Sequence, residues 1–160
     1  MSCRYLIRSA LVVAGLGVVA PAGAQESAEV FLRSLYQEPI YNPLEDGGAD
    51  KLTGDALEAL RTSETQSQEG EGVGCIDFVV TVSGQDYDGD AIRKTLAIEP
   101  APADAEWPLE KGEARFLVSF TQAGEKTTLF YDLLEVDGAW RINDVANTAE
   151  EGWTMSQLCQ

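Results

Sequence analysis

The chain has 160 residues, with 11 basic and 27 acidic side chains, no histidine, three cysteines and a formal charge of -16 at neutral pH. A protein this acidic repels phosphate backbones and anionic lipids, so the charge argues against nucleic-acid and membrane-surface partners. Because there is no imidazole, the sequence excludes Ser-His and Cys-His nucleophile pairs, His metal ligands and His proton shuttles. The length and composition are those of one globular domain.

Residues 1–24 have the features of a secretory signal peptide. Arg4 and Arg8 precede an uncharged stretch that ends in the small-residue cleavage pattern Ala22-Gly23-Ala24. The apolar run is too short for a transmembrane helix, which needs about 20 apolar residues. We therefore predict cleavage after Ala24, a periplasmic or secreted location without a membrane span, and a single mature domain of residues 25–160. Removing the leader leaves 9 basic and 27 acidic side chains, a formal charge of about -18.

Two helices are predicted at the start of the mature domain. Apolar residues recur at helical spacing over residues 27–37, and a second helical period begins after Thr53, a candidate N-cap, and ends near Thr62. Proline and glycine residues separate the two helices. The polar stretch from residue 62 to 74, which contains three glycines, is expected to be a loop.

Beyond residue 75 the sequence changes to β-branched and aromatic residues, which predict strands. The expected strands cover part of 76–82, then 93–99, 113–123, 126–136 and 139–146. A short helix with Thr154 as its N-cap is expected to close the chain over residues 153–159.

Two hairpin turns set the predicted register. If Gly124-Glu125 and Asp137-Gly138 are two-residue turns, apolar side chains face one another across three strands. The predicted pairs are Phe120 with Leu129, Val118 with Tyr131, Phe116 with Leu133, and Leu133 with Ile142. The opposite, mixed face carries Arg115, Leu117, Ser119, Phe130, Asp132, Leu134, Arg141, Asn143 and Val145. This pattern predicts an α+β fold with N-terminal helices packed on one face of a curved antiparallel sheet of four to five strands.

The C-terminal half resembles a known family. The order Gln85-Asp86-Tyr87, the strand 128–133, the turn Asp137-Gly138, the segment 140–145 and the closing segment 153–158 are similar to those of a family of small secreted bacterial proteins of unknown function. These proteins resemble the nuclear-transport-factor and cystatin type of α+β roll. The resemblance implies this roll for most of the mature chain. It implies no activity, since the shared motifs are a tight turn, a core Trp and a closing helix.

Cys75 and Cys159 are the two cysteines of the mature chain. An oxidising compartment favours a disulfide between them, which could stabilise the fold by about 4 kcal/mol. Separate thiols are the alternative, because sequence separation does not show whether the two Cβ atoms meet. We predict the disulfide.

The candidate ligand site is a cluster on the mixed face. In the predicted register Asp132 is a diagonal neighbour of Arg115 and Arg141 and lies opposite Asn143. One account is a structural ion cluster. The other is an anion-recognition pocket, in which the two arginines bind a carboxylate or phosphate while Asp132 and Asn143 orient it.

Two further groups of carboxylates are candidate chemical sites. Residues 86–90 alternate carboxylates like a calcium loop, but Ala91 and Ala97 stand where an EF-hand needs Gly and Glu, so no metal site is predicted. Asp132 or Asp144 could act as a catalytic acid only if its surroundings raised its pKa. Since 27 acidic residues give such a pattern no specificity, we predict no catalytic residue and no cofactor.

These observations favour an exported, non-catalytic module that binds an unidentified small ligand or protein partner through its sheet face or its loops. The alternative is an acidic inhibitor or immunity-type protein that caps a basic secreted enzyme, because the negative charge would steer a basic partner.

Overall fold

A four-stranded antiparallel sheet and three α-helices form the part of the chain that the computed structural model describes, residues 22–70 and 72–160. The elements are α1 (Ala22–Leu35), α2 (Gly54–Glu69), α3 (Gly89–Thr95), β1 (Ala97–Pro100), β2 (Glu113–Gln122), β3 (Glu125–Val136) and β4 (Ala139–Asn147), with short 3-10 helices at Gly48–Lys51 and Met155–Gln157. The strands pair in chain order, and the helices pack on one face of the curved sheet. The predicted α+β class is confirmed.

Most of the predicted signal peptide lies outside the described residues, and Ala22-Gly23-Ala24 begin α1. Among the described helices, none is long and apolar enough to cross a membrane. Cleavage after Ala24 therefore stays a prediction.

Helix α1 follows the predicted helical period and packs its apolar side on the sheet. Ala28, Leu32 and Leu35 are buried, as the spacing required. Trp140 on β4 donates from its indole nitrogen to the Ser27 hydroxyl oxygen at 2.8 Å, which fixes the start of the helix against the last strand.

Helix α2 is longer than the sequence predicted. The expected loop from residue 62 is helical as far as Glu69, so that prediction was wrong over eight residues. Ser63 is buried on the inner side of this extension, and its hydroxyl accepts a hydrogen bond from the Ile76 amide at 2.9 Å. This anchor is a polar contact rather than an apolar residue at helical spacing, so the sequence pattern did not reveal the extension.

The segment between α2 and β1 was also predicted incorrectly. Residues 76–82 form no strand, although Ile76, Val80 and Val82 are buried. Val79 makes an isolated bridge to Gly84, and a turn begins at Val80. The expected strand over 93–99 begins instead as α3, because the Asp88 carboxylate accepts from the amides of Asp90 and Ala91 and caps that helix.

The hairpin between β2 and β3 turns at Ala123-Gly124 rather than at Gly124-Glu125. Both turn residues have positive φ, 52° and 86°, which suits a two-residue hairpin turn. The register therefore differs by two residues from the prediction, so that Phe116 lies opposite Tyr131 and Val118 opposite Leu129. A shift of two preserves the alternation, and the same apolar side chains still face the helices.

The hairpin between β3 and β4 has the predicted turn, Asp137-Gly138, and the predicted pair Leu133 and Ile142. A β-bulge at Asn143 then shifts the register, so that Asp132 lies opposite Asp144. As a result Val145 is buried on the core face, whereas the sequence placed it on the mixed face.

A chain of hydroxyl groups crosses the core. The Tyr36 hydroxyl donates to the Thr81 carbonyl oxygen at 2.9 Å, so its single proton is used. The Tyr131 hydroxyl, 2.9 Å away, must therefore be the donor to Tyr36. Burial raises the pKa of both phenols.

The predicted disulfide between Cys75 and Cys159 is present, with 5.4 Å between the two Cα atoms. It joins residue 159, near the end of the chain, to the segment that follows α2. Neither Cys75 nor Cys159 lies in a strand.

Candidate functional site

A groove of about 370 Å³ runs along the face of the sheet opposite the helices, which we call the outer face. Residues of the loop between β1 and β2 form one side of this groove, and the outer face itself forms its floor. Among its lining residues, Ala101, Pro102, Trp107, Phe130 and Ala146 are apolar, and Asp104, Arg115, Asp132, Asp144 and Thr154 are polar. Two of the four predicted ligand residues, Arg115 and Asp132, therefore line it.

Trp107 is the most conspicuous side chain of this groove. It is 71% exposed, although a Trp in a folded monomer is normally well buried. Its backbone is held in place, since its carbonyl oxygen accepts a hydrogen bond from the Arg115 guanidinium at 2.7 Å. The loop is also attached to β2 by the Ala101 amide, which donates to the Arg115 carbonyl oxygen at 2.9 Å. The indole is thus presented on an anchored loop.

A polar network crosses three strands at the floor of the groove. Arg115 on β2 lies directly opposite Asp132 on β3, and its Nε is 3.2 Å from Asp132 Oδ1. The other carboxylate oxygen of Asp132 accepts from the Asn143 side-chain amide on β4 at 3.0 Å. The structure therefore brings together three of the four residues that the sequence singled out.

Arg141 lies apart from this network. It is opposite Leu134 on the outer face, and its guanidinium donates to the backbone carbonyl of Asp50. The expectation that Asp132 is a diagonal neighbour of Arg115 was wrong, because the β2–β3 register differs by two residues and makes the two direct partners. Whether any of these residues binds a ligand stays a prediction.

Asp144 enters the groove beside Asp132 because of the bulge. Its Oδ1 accepts from the amides of Val145 at 2.9 Å and Ser156 at 3.2 Å, and its Oδ2 accepts from the Ser156 hydroxyl at 2.6 Å. Burial raises the pKa of this carboxyl, the Ser156 and Val145 hydrogen bonds lower it, and the charge of Asp55 raises it, for a net upward shift. The sequence made Asp132 and Asp144 candidate acids, but nothing in it predicted the bulge that places Asp144 opposite Asp132.

A second cleft, of about 330 Å³, lies between α2 and the chain terminus. Asp55, Glu58, Ser156 and Cys159 are among its lining residues. Ser156 therefore touches both the Asp144 carboxylate and this cleft. In the described parts of the chain, no group of three or more Cys, Asp or Glu side chains is arranged to hold a metal ion.

No family model matches this chain. No curated protein matches it. A chain of the type VI native effector-immunity complex Tae3-Tai3 from Ralstonia pickettii is similar in structure, with 20% sequence identity, a TM-score of 0.48, and coverage of 82% of this chain and 97% of that chain. A likeness at this level carries no argument about function. The resemblance to the nuclear-transport-factor and cystatin roll is not supported by a family match and stays a prediction.

Proposed function

We propose that this chain is an exported, non-catalytic protein of the inhibitor or immunity type, which covers part of a basic secreted protein with the outer face of its sheet. The observation that carries the proposal is Trp107, which stands 71% exposed at an apolar groove that also contains three carboxylates.

The groove has the composition of a protein-binding surface. Tryptophan is enriched at the centres of protein interfaces, where a single buried indole can supply much of the binding energy. Phe130, Pro102 and Ala146 extend the apolar area around it. Binding would bury an indole that the isolated chain leaves in water, and that burial is favourable in proportion to the apolar area covered.

The net charge of the chain indicates the sign of the partner's charge. A mature protein of about -18 attracts basic proteins over a distance comparable with the Debye length and raises their rate of association. At the groove itself, the charged lining residues are Asp104, Asp132 and Asp144 against Arg115. The local charge thus has the same sign as the global charge, which supports a basic partner rather than an acidic one.

Export is supported by the predicted signal peptide and by the disulfide. Disulfides persist in oxidising compartments such as the periplasm and are rare in a reducing cytosol. An exported acidic protein would meet its partner in the same compartment.

Burial raises the pKa of Asp144, as a catalytic acid requires, but the carboxylate opposite it is paired with Arg115, so the two do not form an acid and a free base. This arrangement supports a non-catalytic role. Asp132 is paired with Arg115 and Asn143, and Asp144 accepts three hydrogen bonds from Val145 and Ser156. Each carboxylate is held in place by its neighbours. A small ligand is the alternative occupant, since the groove volume falls within the roughly 300–1,000 Å³ of ligand pockets.

The proposal is tested by capture from an exported-protein extract at low and at high salt. Immobilised wild type is compared with Trp107→Ala and with Val73→Ala, whose side chain is 78% exposed but lines a different cleft. We expect one basic protein to be retained by wild type and Val73→Ala, released by salt, and lost with Trp107→Ala. If it is an enzyme, its activity should fall in the complex. The proposal would be contradicted if the Trp107→Ala variant retained the basic protein, or if the amount bound did not change with salt concentration.

A further inference from the structure

The outer-face groove contains a negative charge without a cationic partner. Of its carboxylates, Asp132 is neutralised by Arg115, and Asp104 accepts from the Glu106 amide within its own exposed loop. Asp144 differs from both, because it is half-buried and its hydrogen bonds come from neutral donors, the amides of Val145 and Ser156 and the Ser156 hydroxyl. None of the described salt bridges includes Asp144.

The surroundings of Asp144 add to this imbalance. Asp132 lies directly opposite it across the β3–β4 pair, and Asp55 on α2 is close enough to act on its charge. Since Arg115 already pairs with Asp132, Asp55 supplies the added negative charge. The partly buried Asp144 carboxylate is therefore stabilised when a cation approaches, because the attraction is less screened there than at an exposed site.

The walls of the groove suit the stem of a long cationic side chain. Phe130 and Pro102 offer apolar surface for methylene groups, and the exposed Trp107 indole can stack on a guanidinium or ammonium group. Lysine and arginine side chains combine these two needs, with an apolar stem and a charged end.

We propose that the groove receives a lysine or arginine side chain of the protein partner, with Phe130 and Pro102 along its stem, Trp107 stacked on its charged end and Asp144 as the counter-ion of that end. This inference rests on the proposed function for the identity of the partner, and it identifies Asp144 as a specificity-determining residue. The Arg115 and Asp132 pair acts as a frame that holds the Trp107 loop in position.

An anion is a poorer occupant than a cation. The Arg115 guanidinium already donates to Asp132 and to the Trp107 carbonyl, and Arg141 donates to the Asp50 carbonyl. A carboxylate or phosphate would have to displace these hydrogen bonds and would then lie beside Asp132 and Asp144. The loss of these hydrogen bonds and the repulsion between like charges oppose such binding.

The test uses small probes, so that it does not depend on the natural partner. N-acetyl-arginine amide and N-acetyl-lysine amide are titrated into the intact mature protein, with the uncharged N-acetyl-citrulline amide as an isosteric comparison and inorganic phosphate as the anion. Binding is followed by NMR through the indole proton of Trp107 and the amides of residues 143–146.

We expect the two cationic probes to bind in the millimolar range and the citrulline probe to bind at least tenfold more weakly. Asp144→Asn should weaken the cationic probes about tenfold and leave citrulline binding unchanged. Glu64→Gln removes one negative charge at a different cleft and should have no more than a twofold effect. Each variant is first shown to be folded by its melting temperature.

Three results would overturn the inference: equal binding of the citrulline and arginine probes, cation binding that survives Asp144→Asn, or phosphate shifting the same resonances more strongly than the cations. The proposed function fails separately, since cationic probes could bind at Asp144 even if the extract yields no basic protein. Conversely, capture of a basic protein that Asp144→Asn leaves undiminished would refute this inference and keep the proposed function.

Discussion

Arg115 and Asp132 are direct cross-strand partners, and the same guanidinium that pairs with Asp132 also holds the carbonyl oxygen of Trp107. One side chain therefore joins the floor of the groove to the loop that forms its wall. Loss of Arg115 would free the loop and leave Asp132 without its cation.

A double-mutant cycle measures this link. The Arg115 and Asp132 side chains are only 21% and 22% exposed, so we expect a coupling free energy of about 1 kcal/mol between Arg115→Ala and Asp132→Ala in urea unfolding. The matched control is the exposed pair Glu29 and Arg33 on α1, whose coupling should be below about 0.5 kcal/mol. Equal coupling in the two pairs would show that the groove network contributes no more than a surface ion pair.

A side chain at position 54, at the start of α2, should be destabilising. The φ of Gly54 is +49°, and a Cβ there would overlap the side-chain oxygen of Asn143. We expect Gly54→Ala to lower the free energy of unfolding by about 2 kcal/mol, from backbone strain together with the clash. In an Asn143→Ala background the loss should shrink to the strain alone, about 1 kcal/mol. An unchanged loss in that background would mean that the clash does not contribute.

The raised pKa of Asp144 predicts a characteristic dependence of stability on pH. The folded protein binds this proton more tightly than the unfolded chain, so the contribution of Asp144 is fully present below the unfolded value of 3.8 and is lost as pH rises through the folded-state pKa. As pH rises from 3.8 through the folded-state pKa, the free energy of unfolding of Asp144→Asn should therefore increase relative to that of wild type. Urea unfolding of both proteins from about pH 3.5 to 6 gives the difference directly.

Ser156→Ala is the matched variant for this experiment. It removes the hydroxyl hydrogen bond that lowers the pKa of Asp144, so the window should extend to higher pH. A difference between wild type and Asp144→Asn that is flat with pH would contradict the argument.

The disulfide between Cys75 and Cys159 should contribute strongly to stability. Its sequence separation of 84 residues predicts about 4 kcal/mol from the restriction of the unfolded chain. Reduction, or the Cys75→Ser and Cys159→Ser double variant, is expected to lower the melting temperature by well over 10 °C. Thiol counting on the denatured, unreduced protein should find no free thiol in the mature chain, and two free thiols would exclude the bond.

The sequence predicted the hairpin strands well because period-2 alternation survives small errors. Moving the first turn by one residue shifted the cross-strand partners of Phe116 and Val118 by two positions but left both side chains in the core. Polar helices gave no comparable signal, since α2 continues past Thr62 on residues with no apolar period and α3 depends on one capping carboxylate at Asp88.

The site was predictable only in part for the same physical reason. Arg115, Asp132 and Asn143 share one face by alternation, and the structure brings them together. A bulge has no sequence period, so the alignment of Asp144 with Asp132 was not visible. Trp107 lies between prolines in a loop, and its backbone carbonyl is bonded by Arg115, eight positions further along the chain. No local sequence pattern predicts such a contact.

The direction of the hydroxyl chain in the core makes its two tyrosines unequal. Tyr131 lies at the donating end, so a phenylalanine there would leave the Tyr36 hydroxyl still bonded to the Thr81 carbonyl. A phenylalanine at position 36 would strand both neighbours at once, a buried carbonyl and a buried phenol. The two tyrosines have identical chemistry and contact each other, yet they differ in how readily they can be replaced. A relative of this chain could replace Tyr131 far more readily than Tyr36.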